Sequence, residues 1–187
     1  FPLEYGGVRT PTAQWTVTGS GCCIVSNAKK GACIARATAG KIVDLGVTDA
    51  NNMGAAMAPA AAQTFIDYFA DTNTKPSDYD AVFTGDLGLV GSRSLYDLLS
   101  LENIDLEPNH YDCGMMIFDL EGQDVHAGGS GCGCAGSVFC SEILNSVNSG
   151  KYNNILFMAT GALMSPTSSG QGESIPSVAH LINIKLR

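Results

Sequence analysis

The sequence predicts a mixed α/β domain: a mixed β-sheet covered by α-helices. Two observations carry this. Apolar runs of strand length, YDAVFTGD (79–86) and NNILFMATG (153–161), alternate with helix-like stretches, GAAMAPAAAQTFIDYFADT (54–72) and residues 132–149. The 187 residues are 45% hydrophobic and only 15% charged, a balance that supports a buried core.

Residues 1–14 show no periodicity and read as a connecting arm to a domain over 15–187. The opening Phe1 suggests a piece of a longer protein. WTVTGSGCCIVSN (15–27) reads as a strand, and GACIARATAGKIVDLG (31–46) as one strand or two, broken at Gly40. Asp49 or Asn51 can cap the helix that follows. Pro59 is expected at its first helical position, with the preceding residues in a loop, because proline lacks the N–H an interior position needs. Residues 79–86 form a buried strand, followed by a turn rich in glycine (Gly85, Gly88, Gly91). A helix over 92–104 follows from Leu95, Leu98, Leu99 and Ile104. Residues 105–125 read as loop with one apolar piece, CGMMIFD. The helix over 132–149 aligns Phe139, Ile143 and Val147 and closes at Gly150. The strand at 153–161, a turn-rich connection and a last strand, VAHLINIKLR (178–187), complete the order. No apolar run reaches the roughly 18 residues of a membrane span.

The net charge of −8 argues against nucleic acid and against an anionic membrane surface as direct partners. An anionic ligand would have to be held by local donors. Seven cysteines, an odd number placed beside glycines, suggest a reduced, intracellular setting; a single disulfide with unpaired thiols is the alternative.

HAGGSGCGCAGSVFCSEIL (126–144) concentrates the candidate chemistry. A metal site is disfavoured: side chains two apart on a helix diverge by about 200°, so Cys132 and Cys134 do not converge on one ion. Cys132 or Cys134 could be a nucleophile with His126 as base. The competing reading makes the cysteines small packing residues. GGSG before a helix can also leave backbone N–H groups for an anion, with Gly128 and Gly129 allowing close approach. Elsewhere, His110 reads as solvated, His180 as a core or edge residue, and Glu173 as part of an exposed turn. Asp86 reads equally as a functional residue or a turn former. TGSG (18–21) lacks the lysine of a phosphate-binding P-loop.

TGSGCCIV (18–25), YDAVFTGDLG (79–88), AGGSGCGCAG (127–136) and ILFMATGALMSPT (155–167) together resemble the C-terminal half of the thiolase-like fold, as in condensing enzymes of the ketoacyl-synthase III type, over residues 15–187. Residues 1–21, 85–95, 111–114, 123–136 and 159–176 resemble, within that superfamily, the stage V sporulation AD family of spore-forming bacteria. The resemblance places Thr84-Gly85-Asp86 where the enzymes carry their histidine, and Gly129 where they carry asparagine. The nucleophilic cysteine of the enzymes belongs to the N-terminal half, so none of the seven cysteines takes that role. It implies a condensing-enzyme scaffold without its chemistry and without a cofactor. The implied ligand is dipicolinic acid (pyridine-2,6-dicarboxylate), free or as its calcium complex, taken up into the developing spore. His126, Gly128, Gly129, Ser130, Thr84 and Asp86 are the expected ligand-binding residues, with no metal ligands of the protein's own. The implied partners are other stage V sporulation membrane proteins and a second copy bound through the N-terminal half, at the spore inner membrane. The alternative is an acyltransferase or condensing enzyme in which His126 replaces the lost histidine.

Overall fold

A computed structural model describes residues 9–27 and 30–187; most of the expected connecting arm, residues 1–8, lies outside them. The strands are β1 (Trp15–Thr16), β2 (Ala32–Thr38), β3 (Ala81–Thr84), β4 (His110–Asp112), β5 (Gly129–Ser130), β6 (Asn154–Ala162) and β7 (Ser177–Leu186). The helices are α1 (Met53–Thr72), α2 (Gly88–Ser100), α3 (Cys113–Met116), α4 (Cys132–Val138), α5 (Leu144–Asn148) and α6 (Pro166–Gly170). A π-helical turn, Phe139–Ile143, joins α4 to α5, so 132–148 is one helical run. Five strands form a mixed sheet in the order β2-β7-β6-β3-β4. β3 is parallel to β4 and β6, while β7 is antiparallel to β6 and β2. β1 and β5 form a separate parallel pair.

Strand alternation sends side chains to two cores. Val82, Leu156, Met158, Ala179 and Leu181 face α1 and α2 across one side of the sheet. Ala81, Phe83, Ile155 and Ile184 face Cys134, Val138, Ile143 and Val147 of the 132–148 run on the other. β3 is covered on both sides and all four of its residues are buried, as its unbroken apolar run predicts.

The structure corrects four expectations. Residues 15–27 are a strand only at Trp15–Thr16; the rest runs irregularly along the 132–148 helix, its backbone too close to that helix for side chains at Gly19 and Gly21. Pro59 lies inside α1, which Asn52 caps by accepting the Ala55 N–H. Interior proline costs a helix about 3 kcal/mol. Here the turns before it bury Gly54, Ala56, Met57 and Ala58, and a Cβ on Gly54 would lie 2.8 Å from Gly91 N of α2. That tertiary contact holds the segment helical. α2 begins at Gly88 and ends at Ser100, rather than spanning 92–104. Within the expected loop 105–125, residues 110–112 form the sheet-edge strand β4. Among the described residues no helix is long and apolar enough to cross a membrane.

Candidate functional site

Thr84 ends β3, Asp112 ends β4 and Thr160 lies on β6, so three neighbouring parallel strands deliver them to one end of the sheet. Open α/β sheets commonly place ligands beyond such carboxyl ends. Thr84 is fully buried. Its hydroxyl lies 2.6 Å from Asp112 Oδ2 and 2.8 Å from His110 Nε2. A hydroxyl has one proton, and the carboxylate can only accept it. Thr84 therefore donates to Asp112 and accepts from His110 Nε2–H. His110 Nδ1 must then be unprotonated, accepting the Tyr96 hydroxyl at 2.7 Å. The result is a directed chain: Tyr96 to His110 to Thr84 to Asp112.

Asp112 collects more than this chain. Its Oδ2 also accepts the Leu87 N–H (2.9 Å), and its Oδ1 accepts those of Gly88 (2.9 Å) and Gly114 (3.0 Å). Its carboxylate thus fastens the starts of α2 and α3. Burial pushes Asp112 up to about 6, against the Thr84 hydroxyl and the Gly88 and Leu87 N–H groups, which pull it down. Burial pushes His110 down to about 4. At pH 7 the aspartate is charged and the histidine neutral, as the chain requires. His110 is therefore not the solvated loop residue expected from sequence.

Asp86 sits beside this network. Its Oδ2 accepts the Gly131 N–H at 2.9 Å and its Oδ1 accepts the Thr160 hydroxyl at 2.8 Å. Burial raises its pKa, opposed by Gly131 and Thr160. Gly131 is the cap position of α4, so the anion at this helix start is the protein's own carboxylate.

The other expected residues are placed differently. The carbonyls of Gly128 and Ser130 accept N–H groups of Trp15 and Val17, and that of Gly129 accepts Gln14 Nε2. A Cβ on Gly129 would lie 2.8 Å from both Val17 and Ile117 side chains, so this glycine abuts the core rather than an open cradle. Gly129→Val is expected to destabilise the protein by about 2 kcal/mol through overpacking, seen in denaturant unfolding, before any ligand is involved. His126 lies apart, its Nε2 3.1 Å from Asp124 Oδ1. Arg9 shares that carboxylate and rests 4.7 Å over the Trp15 ring. Cys134 is buried, its thiol pushed up to about 12 by burial, while Cys132 is exposed. The pair diverges as its spacing predicts, and no group of three or more metal-ligating side chains occurs among the described residues. A cleft of about 560 Å³ lies at the opposite end of the strands, bordered by Pro76, Tyr79 and Asn109, away from Thr84 and Asp86.

Sequence reading found Thr84 and Asp86 but missed Tyr96, His110, Asp112 and Thr160. A signal was present: in HYD (110–112) strand alternation puts His110 and Asp112 on one face, with Tyr111 stacking on Phe83 at 5.5 Å on the other.

Stage V sporulation protein AD of Bacillus subtilis (strain 168) is 46% identical over 180 residues, which cover 96% of this chain and 53% of that protein. The chain thus spans about half the length of its curated relative. The crystal structure of 3-oxoacyl-[acyl-carrier-protein] synthase III from Aquifex aeolicus overlays with a TM-score of 0.44 at 11% identity, covering 86% of this chain and 46% of that one. The profile of the family described as Stage V sporulation protein AD matches residues 1–185, and the chain belongs to that family.

Proposed function

We propose that the chain is part of a non-catalytic sporulation protein that binds dipicolinic acid, as the calcium complex, for uptake into the developing spore. The observation that carries the non-catalytic reading is the state of Thr84. At the position that resembles the condensing enzymes' histidine, its proton goes to Asp112 and its lone pair to His110, so it offers a substrate neither acid nor base. Gly129 has no side chain to supply the asparagine's hydrogen bond. The Cys113, Cys134 and Cys140 thiols are all pushed up by burial and held neutral.

Charge favours the calcium complex over the free dianion. The chain carries −8, and the Asp86 carboxylate already occupies the start of α4. A dicarboxylate approaching Ser130, Gly131 and Asp86 is repelled unless a cation accompanies it. Hard oxygen ligands suit calcium, and the ligand itself can carry the ion. Beyond the chain, the reading places the protein as a homodimer at the spore inner membrane with other stage V sporulation membrane proteins.

Calorimetric titration of dipicolinic acid into the full-length protein, with and without calcium, tests this. Saturable binding that requires calcium is expected. Asp86→Asn keeps the Gly131 bond at its amide oxygen, reverses the Thr160 bond so that the amide NH2 donates to that hydroxyl, and removes the charge, so it should tighten binding of the calcium-free acid by about tenfold. His126→Ala should leave stability within about 1 kcal/mol, because its partner Asp124 is exposed, and weakened binding in that variant would extend the site from Asp86 to His126. No heat with either form of the ligand would reject the binding role. Acyl-CoA turnover lost on His126→Ala would instead establish the condensing-enzyme reading.

A further inference from the structure

Three of the seven cysteines meet where the irregular segment 17–27 crosses the 132–148 helix. The crossing is made backbone to backbone: a Cβ on Gly133 would lie 2.4 Å from Gly19 O, and one on Gly21 would lie 2.0 Å from Gly136 O. The same position on Gly21 lies 2.9 Å from Cys140 Sγ, so that thiol sits directly against the segment. The next two residues are Cys22 and Cys23, both exposed, and Cys140, on the helix, is half-buried. The Cys23 side chain comes within interaction reach of the Cys140 thiol, and the Cys22 backbone also meets it. Cys140 also falls within the π-helical turn Phe139–Ile143, an irregularity that recurs at functional sites. Cys132 is eight residues upstream on the same run, about 12 Å along the axis, too far to compete.

We infer that Cys23 and Cys140 form an oxidisable dithiol whose disulfide fastens the 17–27 segment to the helix that begins at the candidate site. A peroxide is the oxidant. The exposed Cys23 thiolate attacks the peroxide O–O bond, giving a sulfenic acid and releasing water or alcohol. The Cys140 sulfur then attacks the Cys23 sulfur, the S–S bond forms and the S–OH bond breaks, and a second water leaves. Two thiols are oxidised and one peroxide is reduced. The exposed Cys23 meets the oxidant first and the half-buried Cys140 attacks second, its thiol proton leaving with the sulfenic hydroxyl as water. The closed bridge would lock the glycine-to-glycine crossing and hold Val17 against the Ser130 carbonyl. This inference does not depend on the identity of any ligand.

The experiment uses the reduced full-length protein, treated with one equivalent of hydrogen peroxide, alkylated, digested without reductant and mapped by mass spectrometry. The expected product is a peptide joining Cys23 to Cys140, lighter by two hydrogens than the separate thiol peptides, with Cys132 alkylated. Oxidation should raise the melting midpoint of the wild type and of the Cys22→Ser and Cys132→Ser variants, and leave Cys23→Ser and Cys140→Ser unshifted. A Cys22–Cys23 or Cys22–Cys140 link, or sulfinic acid at Cys23 with no linked peptide, overturns the assignment.

Discussion

Asp112→Asn is expected to lower stability by about 3 kcal/mol in denaturant unfolding, equivalent to roughly 9 °C in melting midpoint for a unit of this size. The carboxylate is 2% exposed and receives four hydrogen bonds, from Thr84, Leu87, Gly88 and Gly114. All four donors point inward, and no neighbour accepts from it. An amide supplies one acceptor oxygen and turns an NH2 group toward two of those donors. Two N–H or O–H groups then lose their partners inside the protein, and the facing NH2 finds none. The loss should fall on the starts of α2 and α3, whose first N–H groups Asp112 receives. Hydrogen exchange at Leu87, Gly88 and Gly114 should accelerate most. A variant as stable as the parent would show that the carboxylate does not organise this end of the sheet.

His110→Gln is expected to change the acid response of stability. Burial depresses His110 to about 4, while the unfolded chain takes up the proton near the ordinary value of 6.5. Above pH 6.5 neither state protonates it, so the neutral ring's contribution is complete. As pH falls from 6.5 toward 4 the unfolded state binds a proton that the folded state refuses, and stability drains away by at most about 3 kcal/mol. Asp112 acts with the opposite sign. Its folded value of about 6 exceeds the ordinary 3.8, so between those values the folded state holds a proton that the unfolded state has released. The two responses offset each other in the wild type. Without His110 only the aspartate's remains. The wild type should therefore be clearly more stable than His110→Gln at pH 7.5, and the gap should close by about pH 4.5. Paired urea unfolding at several pH values measures it; a constant gap would refute a neutral, buried imidazole.

Legibility in the sequence followed the reach of each interaction. The unbroken apolar run at 81–84 and the four-residue spacing of Phe139, Ile143 and Val147 are local patterns, and both elements were readable from them. The divergence of Cys132 from Cys134 follows from helix geometry alone. Asp86 was open to either reading because its role depends on Gly131 and Thr160, 45 and 74 residues away. Pro59 misled because the local rule carries a cost that the contact of Gly54 with α2 overrides. Residues 17–27 misled for the opposite reason. Their apolar composition suits a strand, yet most of them pair with no strand and follow a helix instead.

The sequence by itself determined the mixed α/β class, the two strongest helices, the buried central strand and the family. Each is written in periodicity, composition or long motif strings within one continuous stretch. Only the tertiary structure decided what the polar residues do. It set His110 against Thr84 through the pairing of β3 with β4, and it filled the start of α4 with Asp86. It also placed Gly129 against Val17 and Ile117 and brought Cys140 to Cys23 across 117 positions of chain. A side chain's chemistry is local, but its partner, its burial and hence its protonation are properties of the folded sheet.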